Sequence, residues 1–228
     1  MALWNSYVKP SQSYIQRSNS FAAGAGKTKL ASSVIDEHLN RATYDGLAYF
    51  YCNRGDNSRN LPEQVLNSIV RQLSLLPVPR DMWLIQEPLH KLYKKIKDEG
   101  HASDTLSYSQ SEALLPKLLE AYTTTTIILD ALDECDKTKR YRLIKTLKNL
   151  IRDCKNLKVF ITSRRDPDIN THLQSEDTLE MSATDNENDI RLFVRSELDK
   201  VEETRGRPIS LALREEIIET LHNKSNSM

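Results

Sequence analysis

Apolar residues change their spacing several times along the chain, and the changes divide it into helical and extended segments. Leu30, Val34, Ile35 and Leu39 recur at helical spacing and predict an amphipathic helix following directly on Lys27. Leu47 to Cys52 is an aromatic and apolar run, which predicts a buried strand. Pro62 stands where the first turn of a helix tolerates proline, and Val65, Leu66, Ile69, Val70 and Leu73 supply the stripe behind it. Pro77, Pro79 and Pro88 interrupt the next stretch, leaving Leu89 to Lys97 as a short basic helix. Ser109 and Glu112 have capping-box spacing ahead of Leu114, Leu115, Leu118 and Leu119, with Pro116 expected to kink that helix or delay its start. Thr124 to Leu129 and Leu157 to Thr162 have the β-branched and apolar make-up of buried strands, and Leu143, Ile144, Leu147, Leu150 and Ile151 form a helical stripe between them.

Alternation of helix and strand predicts an α/β domain on a mainly parallel sheet. After about residue 178 the extended segments stop. Two helical stripes follow, Ile190, Phe193, Val194 and Leu198, then Leu211, Leu213, Ile217, Ile218 and Leu221, which predict the start of a helical subdomain. At 228 residues the chain can bury one full core and begin a second. Lys plus Arg (32) balance Asp plus Glu (32), so no global field attracts nucleic acid or an anionic membrane. No apolar run approaches the roughly 20 residues needed to span a bilayer, and the expectation is a soluble cytoplasmic protein. Cys52, Cys135 and Cys154 are odd in number and lack a C-x-x-C pair, which argues against a disulfide framework and a zinc site; Cys52 is expected in the core. The five histidines show no ligand spacing.

The chemistry lies in two separated motifs. Ala23-Gly24-Ala25-Gly26-Lys27-Thr28 has the make-up of a phosphate-binding loop: glycines let the backbone approach an anion, a lysine neutralises phosphate oxygens, and a hydroxyl binds magnesium. An Ala/Gly-rich turn ahead of a lysine has the same local sequence. What separates the two readings is the second motif, Ile127-Ile128-Leu129-Asp130-Ala131-Leu132-Asp133-Glu134. Asp130 ends a buried strand, where a carboxylate is costly unless it serves a cation or a hydrogen-bond network, and magnesium shared with Thr28 is the natural partner. Asp133 and Glu134 are candidates to polarise an attacking water, or else the solvated start of a helix. Arg164, in Thr162-Ser163-Arg164-Arg165, stands at the C-terminal end of the next strand, where it is placed either to read a terminal phosphate or to pair with Asp166 or Asp168. Lys137, Lys139, Arg140, Arg142, Lys145 and Lys148 fit a solvated helix face better than a nucleic-acid patch.

Taken together, AGAGKT, the YFYC strand with its RQL helix, IILDALDECD and KVFITSRRDPDI closely resemble the NACHT class of STAND-type signalling P-loop NTPases, in particular the nephrocystin-type N-terminal domain of many fungal NACHT proteins. The resemblance implies a three-layer α/β P-loop NTPase with a bound ATP or ADP and Mg2+. It implies Gly24, Ala25, Gly26, Lys27 and Thr28 as the nucleotide-binding loop, Thr28 and Asp130 at the metal, and Asp133, Glu134 and Arg164 as the catalytic set. It further implies a nucleotide-controlled switch between a closed monomer and an open homo-oligomer formed through the NTPase domain. Residues 22–178 are then the NTPase domain and 179–228 an incomplete helical subdomain.

The N-terminus departs from the pattern. Phe21 occupies the first glycine position of the loop, and Tyr14 to Ser20 is far more polar than a central buried strand. Residues 1–21 are accordingly expected to be a divergent segment foreign to the domain. The sheet would then lack its phosphate-loop strand, at about 1–3 kcal/mol for each buried unpaired backbone group, giving a poorly stable chain that binds nucleotide weakly. The rival function is a nucleotide-dead fragment acting at most as a protein-interaction module; a metabolic P-loop kinase is weaker still, because no second-substrate site is recognisable.

Overall fold

The computed structural model describes residues 14–18, 26–40, 45–75, 84–100, 105–181 and 187–226. Five strands, β1 (Tyr14–Ser18), β2 (Gly46–Tyr51), β3 (Thr125–Asp130), β4 (Leu157–Arg164) and β5 (Thr178–Met181), pair in parallel in the order β2-β3-β4-β1-β5. Helix α1 (Lys27–Asn40) joins β1 to β2, and α2 (Pro62–Leu73), α3 (Glu87–Asp98) and α4 (Tyr108–Leu119) lie between β2 and β3. A 3-10 turn (Leu132–Glu134) and α5 (Arg140–Asp153) link β3 to β4, and α6 (Pro167–Leu173) links β4 to β5. Helices α7 (Glu187–Arg205) and α8 (Leu211–Asn226) follow the sheet.

Strand alternation sorts the core into two faces. Ala48, Ile127, Leu129, Val159 and Ile161 pack with the stripes of α2, α4 and α5. Ile128 and Phe160 point the other way, onto Ala31, Val34 and Ile35 of α1. The result is the three-layer α/β architecture expected from the sequence. Every residue of β3 is buried. Cys52 is a core residue, as expected, and shares a thiol hydrogen bond with Cys135 that, together with burial, pushes the Cys52 thiol far above its ordinary pKa. Strand β2 forms one edge of the sheet, and the Gln72 side chain caps it: the Tyr49 N–H donates to Gln72 Oε1 at 3.0 Å, and Gln72 Nε2 donates to the Tyr49 carbonyl at 2.8 Å. A side-chain amide thereby occupies backbone groups that would otherwise template another strand.

Several sequence expectations are corrected. The segment judged too polar for the sheet supplies β1, with Ile15 opposite Ile161 on one side and Thr178 on the other. The physical reason is that a ladder is made by the main chain, and β4 and β5 offer backbone edges that any segment in register satisfies. Extended structure also continues past residue 178, since β5 runs to Met181. The box at α4 is formed by Ser107 and Gln110, not Ser109 and Glu112, and the helix runs through Pro116 to Leu119. In the α7–α8 pair, Val194, Leu198 and Ile218 are buried, whereas Phe193, Leu211, Leu213 and Leu221 of the expected stripes are exposed.

Candidate functional site

Parallel strands direct their C-terminal ends to one edge of the sheet, and the chemistry-bearing residues collect there. Gly26 has φ 79°, a left-handed conformation that a side chain would strain, and the Leu30 N–H closes the first turn of α1 on its carbonyl at 2.9 Å. Lys27 and Thr28 follow as the first residues of α1, with the positive end of the helix dipole at their backbone. Phe21, Gly24 and Ala25 lie outside the described residues.

Asp130 is the meeting point of the two motifs. It is 4% exposed, and both carboxylate oxygens are engaged: the Thr28 hydroxyl donates to Oδ2 at 2.7 Å, and the Thr162 hydroxyl donates to Oδ1. Thr162 in turn accepts the Ala131 N–H at 2.9 Å. Ala131 adopts the left-handed conformation (φ 55°, ψ 51°), a strain of about 1–3 kcal/mol that turns the chain sharply after β3. Asp133 and Glu134 come round to the same cleft as Asp130 because of that turn.

Asp133 is not a solvated helix start. It is 6% exposed, and its Oδ1 accepts the Arg164 N–H at 2.8 Å and the Ser163 hydroxyl at 3.5 Å. The Arg164 guanidinium is half exposed and stands 3.8 Å from Asp133 Oδ2, so it is in neither of the two surface pairs open to it from sequence. Asp166 and Asp168 instead go to Arg140, which is fully buried and not part of a solvated face. Glu134 is the less enclosed acid, with Oε2 accepting the Arg54 N–H at 3.3 Å. Sequence reasoning missed Arg54, whose guanidinium donates to the Asp133 carbonyl at 2.9 Å, and assigned no task to Thr162. For Arg140 a signal existed: it shares the helical stripe of Leu143, Ile144 and Leu147, and a charge on an apolar stripe must find a partner.

Lys27, Thr28, Asp130, Asp133, Glu134 and Arg164 line one cleft of about 270 Å³. A larger groove of about 490 Å³ lies over α5 and α6 and contains none of them. Burial lowers the Lys27 pKa from its ordinary value; Asp133 and Asp130 oppose the shift, and Arg164 adds to it. A lysine held in this way gains from the arrival of an anion. The hydroxyl of Thr28 and the carboxylate of Asp130 are hard oxygen donors suited to magnesium, which characteristically takes few protein ligands and completes its shell with water and phosphate. Among the described residues no group of three or more His, Cys, Asp or Glu side chains is arranged to hold a metal, so such an ion would depend on phosphate oxygens as well.

The family model for nephrocystin 3, N-terminal, matches residues 19–164, from just after β1 to the end of β4. The chain belongs to this family. The NACHT-type resemblance seen in the sequence is thereby borne out. The vegetative incompatibility protein HET-E-1 of Podospora anserina is 26% identical over 184 residues, a match covering 78% of this chain and 13% of that protein. Among solved structures, a Walker-type ATPase of Pyrococcus abyssi superposes with a TM-score of 0.56 at 12% identity, covering 95% of this chain and 60% of the other. Drosophila ORC bound to DNA gives 0.51 at 15% identity, covering 97% of this chain and 50% of the other. Likenesses at this identity show the fold alone, and the fold of this chain is that of an α/β P-loop NTPase. No helix among the described residues is long and apolar enough to cross a membrane.

Proposed function

We propose that this chain is a NACHT-type switch module that binds ATP and ADP with Mg2+ and hydrolyses ATP slowly. The observation that carries the reading is the hydrogen bond between the Thr28 hydroxyl and the Asp130 carboxylate, 2.7 Å long across 102 positions of sequence, with Lys27 and Arg164 in the same cleft. Gly24, Ala25 and Gly26 wrap backbone around the phosphates in this reading, and Lys27 neutralises the β and γ oxygens. Thr28 and Asp130 hold the magnesium, whose role is to offset phosphate charge. Arg164 reads the γ-phosphate. Glu134, the more open acid, positions the attacking water, while Asp133 orients Arg164 through the backbone bond at residue 164. The module acts in the cytoplasm, with self-association through the NTPase domain as its output.

The test is a titration with a fluorescent ATP analogue in magnesium, paired with single-turnover hydrolysis. Lys27→Ala should weaken binding at least about tenfold, or ~1.4 kcal/mol. Glu134→Gln should leave binding in place and slow hydrolysis by about a hundredfold. Equal affinity of wild type and Lys27→Ala would remove the nucleotide site and leave the interaction-module reading.

A further inference from the structure

Arg140 is the one arginine among the largest fully buried side chains of the described residues, and its guanidinium engages residues 133, 166 and 168, in the segments that follow β3 and β4. Its Nε donates to Asp168 Oδ2 at 2.7 Å and its Nη2 to Asp168 Oδ1, a two-pronged contact. The same Nη2 lies 2.7 Å from Asp166 Oδ2, and Nη1 donates to the Asp133 carbonyl at 3.1 Å. Asp133 is therefore tied to the strand-β4 exit twice. Its carboxylate receives the N–H of Arg164, and its carbonyl is joined through Arg140 to residues 166 and 168. The short stretch carrying Arg164 is pinned at its start by one tie and at its end by the other.

A buried ion cluster is an expensive way to fill space, since apolar residues of similar volume commonly stabilise a fold as well or better. What the planar fork supplies is geometry: fixed donors that match a carboxylate and hold two loops at a set separation. We propose that Arg140 is a positioning residue that sets where the Arg164 guanidinium stands relative to Asp130 and Glu134, and so governs the hydrolytic step of the site far more than nucleotide binding, which rests on Lys27, Thr28 and Asp130. The inference rests on the nucleotide reading given above.

Arg140→Lys keeps the charge and removes the fork. In this variant Mg-ATP affinity should stay within about twofold of wild type while the single-turnover rate falls about tenfold or more. Arg164→Ala should cause a similar loss. The double variant should be slower than Arg164→Ala by less than about twofold, because both act through one guanidinium. A triple variant, Arg140→Met with Asp166→Asn and Asp168→Asn, removes the whole charge set, leaves no lone buried ion, and should fold yet stay slow. A wild-type rate in either folded variant overturns the proposal, as do multiplicative losses in the double variant. Loss of fold in both Arg140→Lys and the triple variant assigns Arg140 to stability alone and overturns it too. If Lys27→Ala leaves wild-type binding and hydrolysis unchanged, the nucleotide reading itself has failed; if that control behaves as expected and Arg140→Lys turns over normally, only the positioning role has.

Discussion

Asp168 is a carboxylate held in its charged form by a buried arginine, and that makes it a point at which acid should loosen the fold. Burial alone would raise its pKa, but donation and charge from Arg140 overcome this and hold it well below the ordinary aspartate value. A carboxylate whose folded value is depressed contributes stability above its unfolded value, about 3.9, and loses it as pH falls through the folded value. Urea midpoints measured from pH 6 to pH 2 should therefore fall steeply below about pH 4 in wild type, and less steeply in Asp168→Asn, which starts from a lower plateau. Identical slopes for the two chains would show that the Arg140 pair is not what acid breaks. Part of this site is legible in local sequence: motif spacing points to Lys27, Thr28, Asp130 and Arg164, and the structure brings all four to one cleft. Arg54 and the task of Thr162 are not legible there, because each acts on a residue remote in sequence, and no short pattern encodes that meeting.

At the level of elements, the closeness of β2 to β3 depends on Gly46. A Cβ built there would stand 2.7 Å from Thr125 Oγ1 and 3.0 Å from Tyr122 Cγ, so the strand could not keep its place without movement. Gly46→Ala should cost about 1–3 kcal/mol as an overpacking change, read as a lowered thermal midpoint, and Thr125→Ala in the same chain should recover part of the loss. An unchanged midpoint would mean that β2 shifts freely on β3. Elements with a strong apolar period lie within a residue or two of their sequence positions, as with α2 starting at Pro62 and β3 ending at Asp130. The N-cap of α4 is displaced because Ser107 and Ser109 both offer a hydroxyl three residues before a group that can reach back, Gln110 or Glu112, and packing chose between them.

At the scale of the whole molecule, α7 and α8 bury Val194, Leu198 and Ile218 chiefly against each other, stitched by ion pairs such as Arg191 with Glu219 and Arg214 with Glu202, both at 2.7 Å. The sheet core draws its apolar contacts from α1, α2, α4, α5 and α6. A chain ending at residue 186 should therefore keep the sheet domain folded, with a thermal midpoint within about 4 °C of the parent, corresponding to ~1 kcal/mol, and unchanged ATP affinity. Collapse of the shortened chain would show that the helical pair completes the core. Sequence by itself determined the α/β alternation, the buried β3 and the two phosphate-directed motifs, because hydrophobic period and motif chemistry are properties of short stretches. Only the tertiary structure decided that the polar stretch Tyr14–Ser18 is a strand between β4 and β5, that Asp133 is enclosed, and which carboxylates meet Arg140 in the interior. Backbone pairing depends on which neighbouring edges stand open, and a buried charge on where its counter-charge arrives, and both are settled by residues far away along the chain.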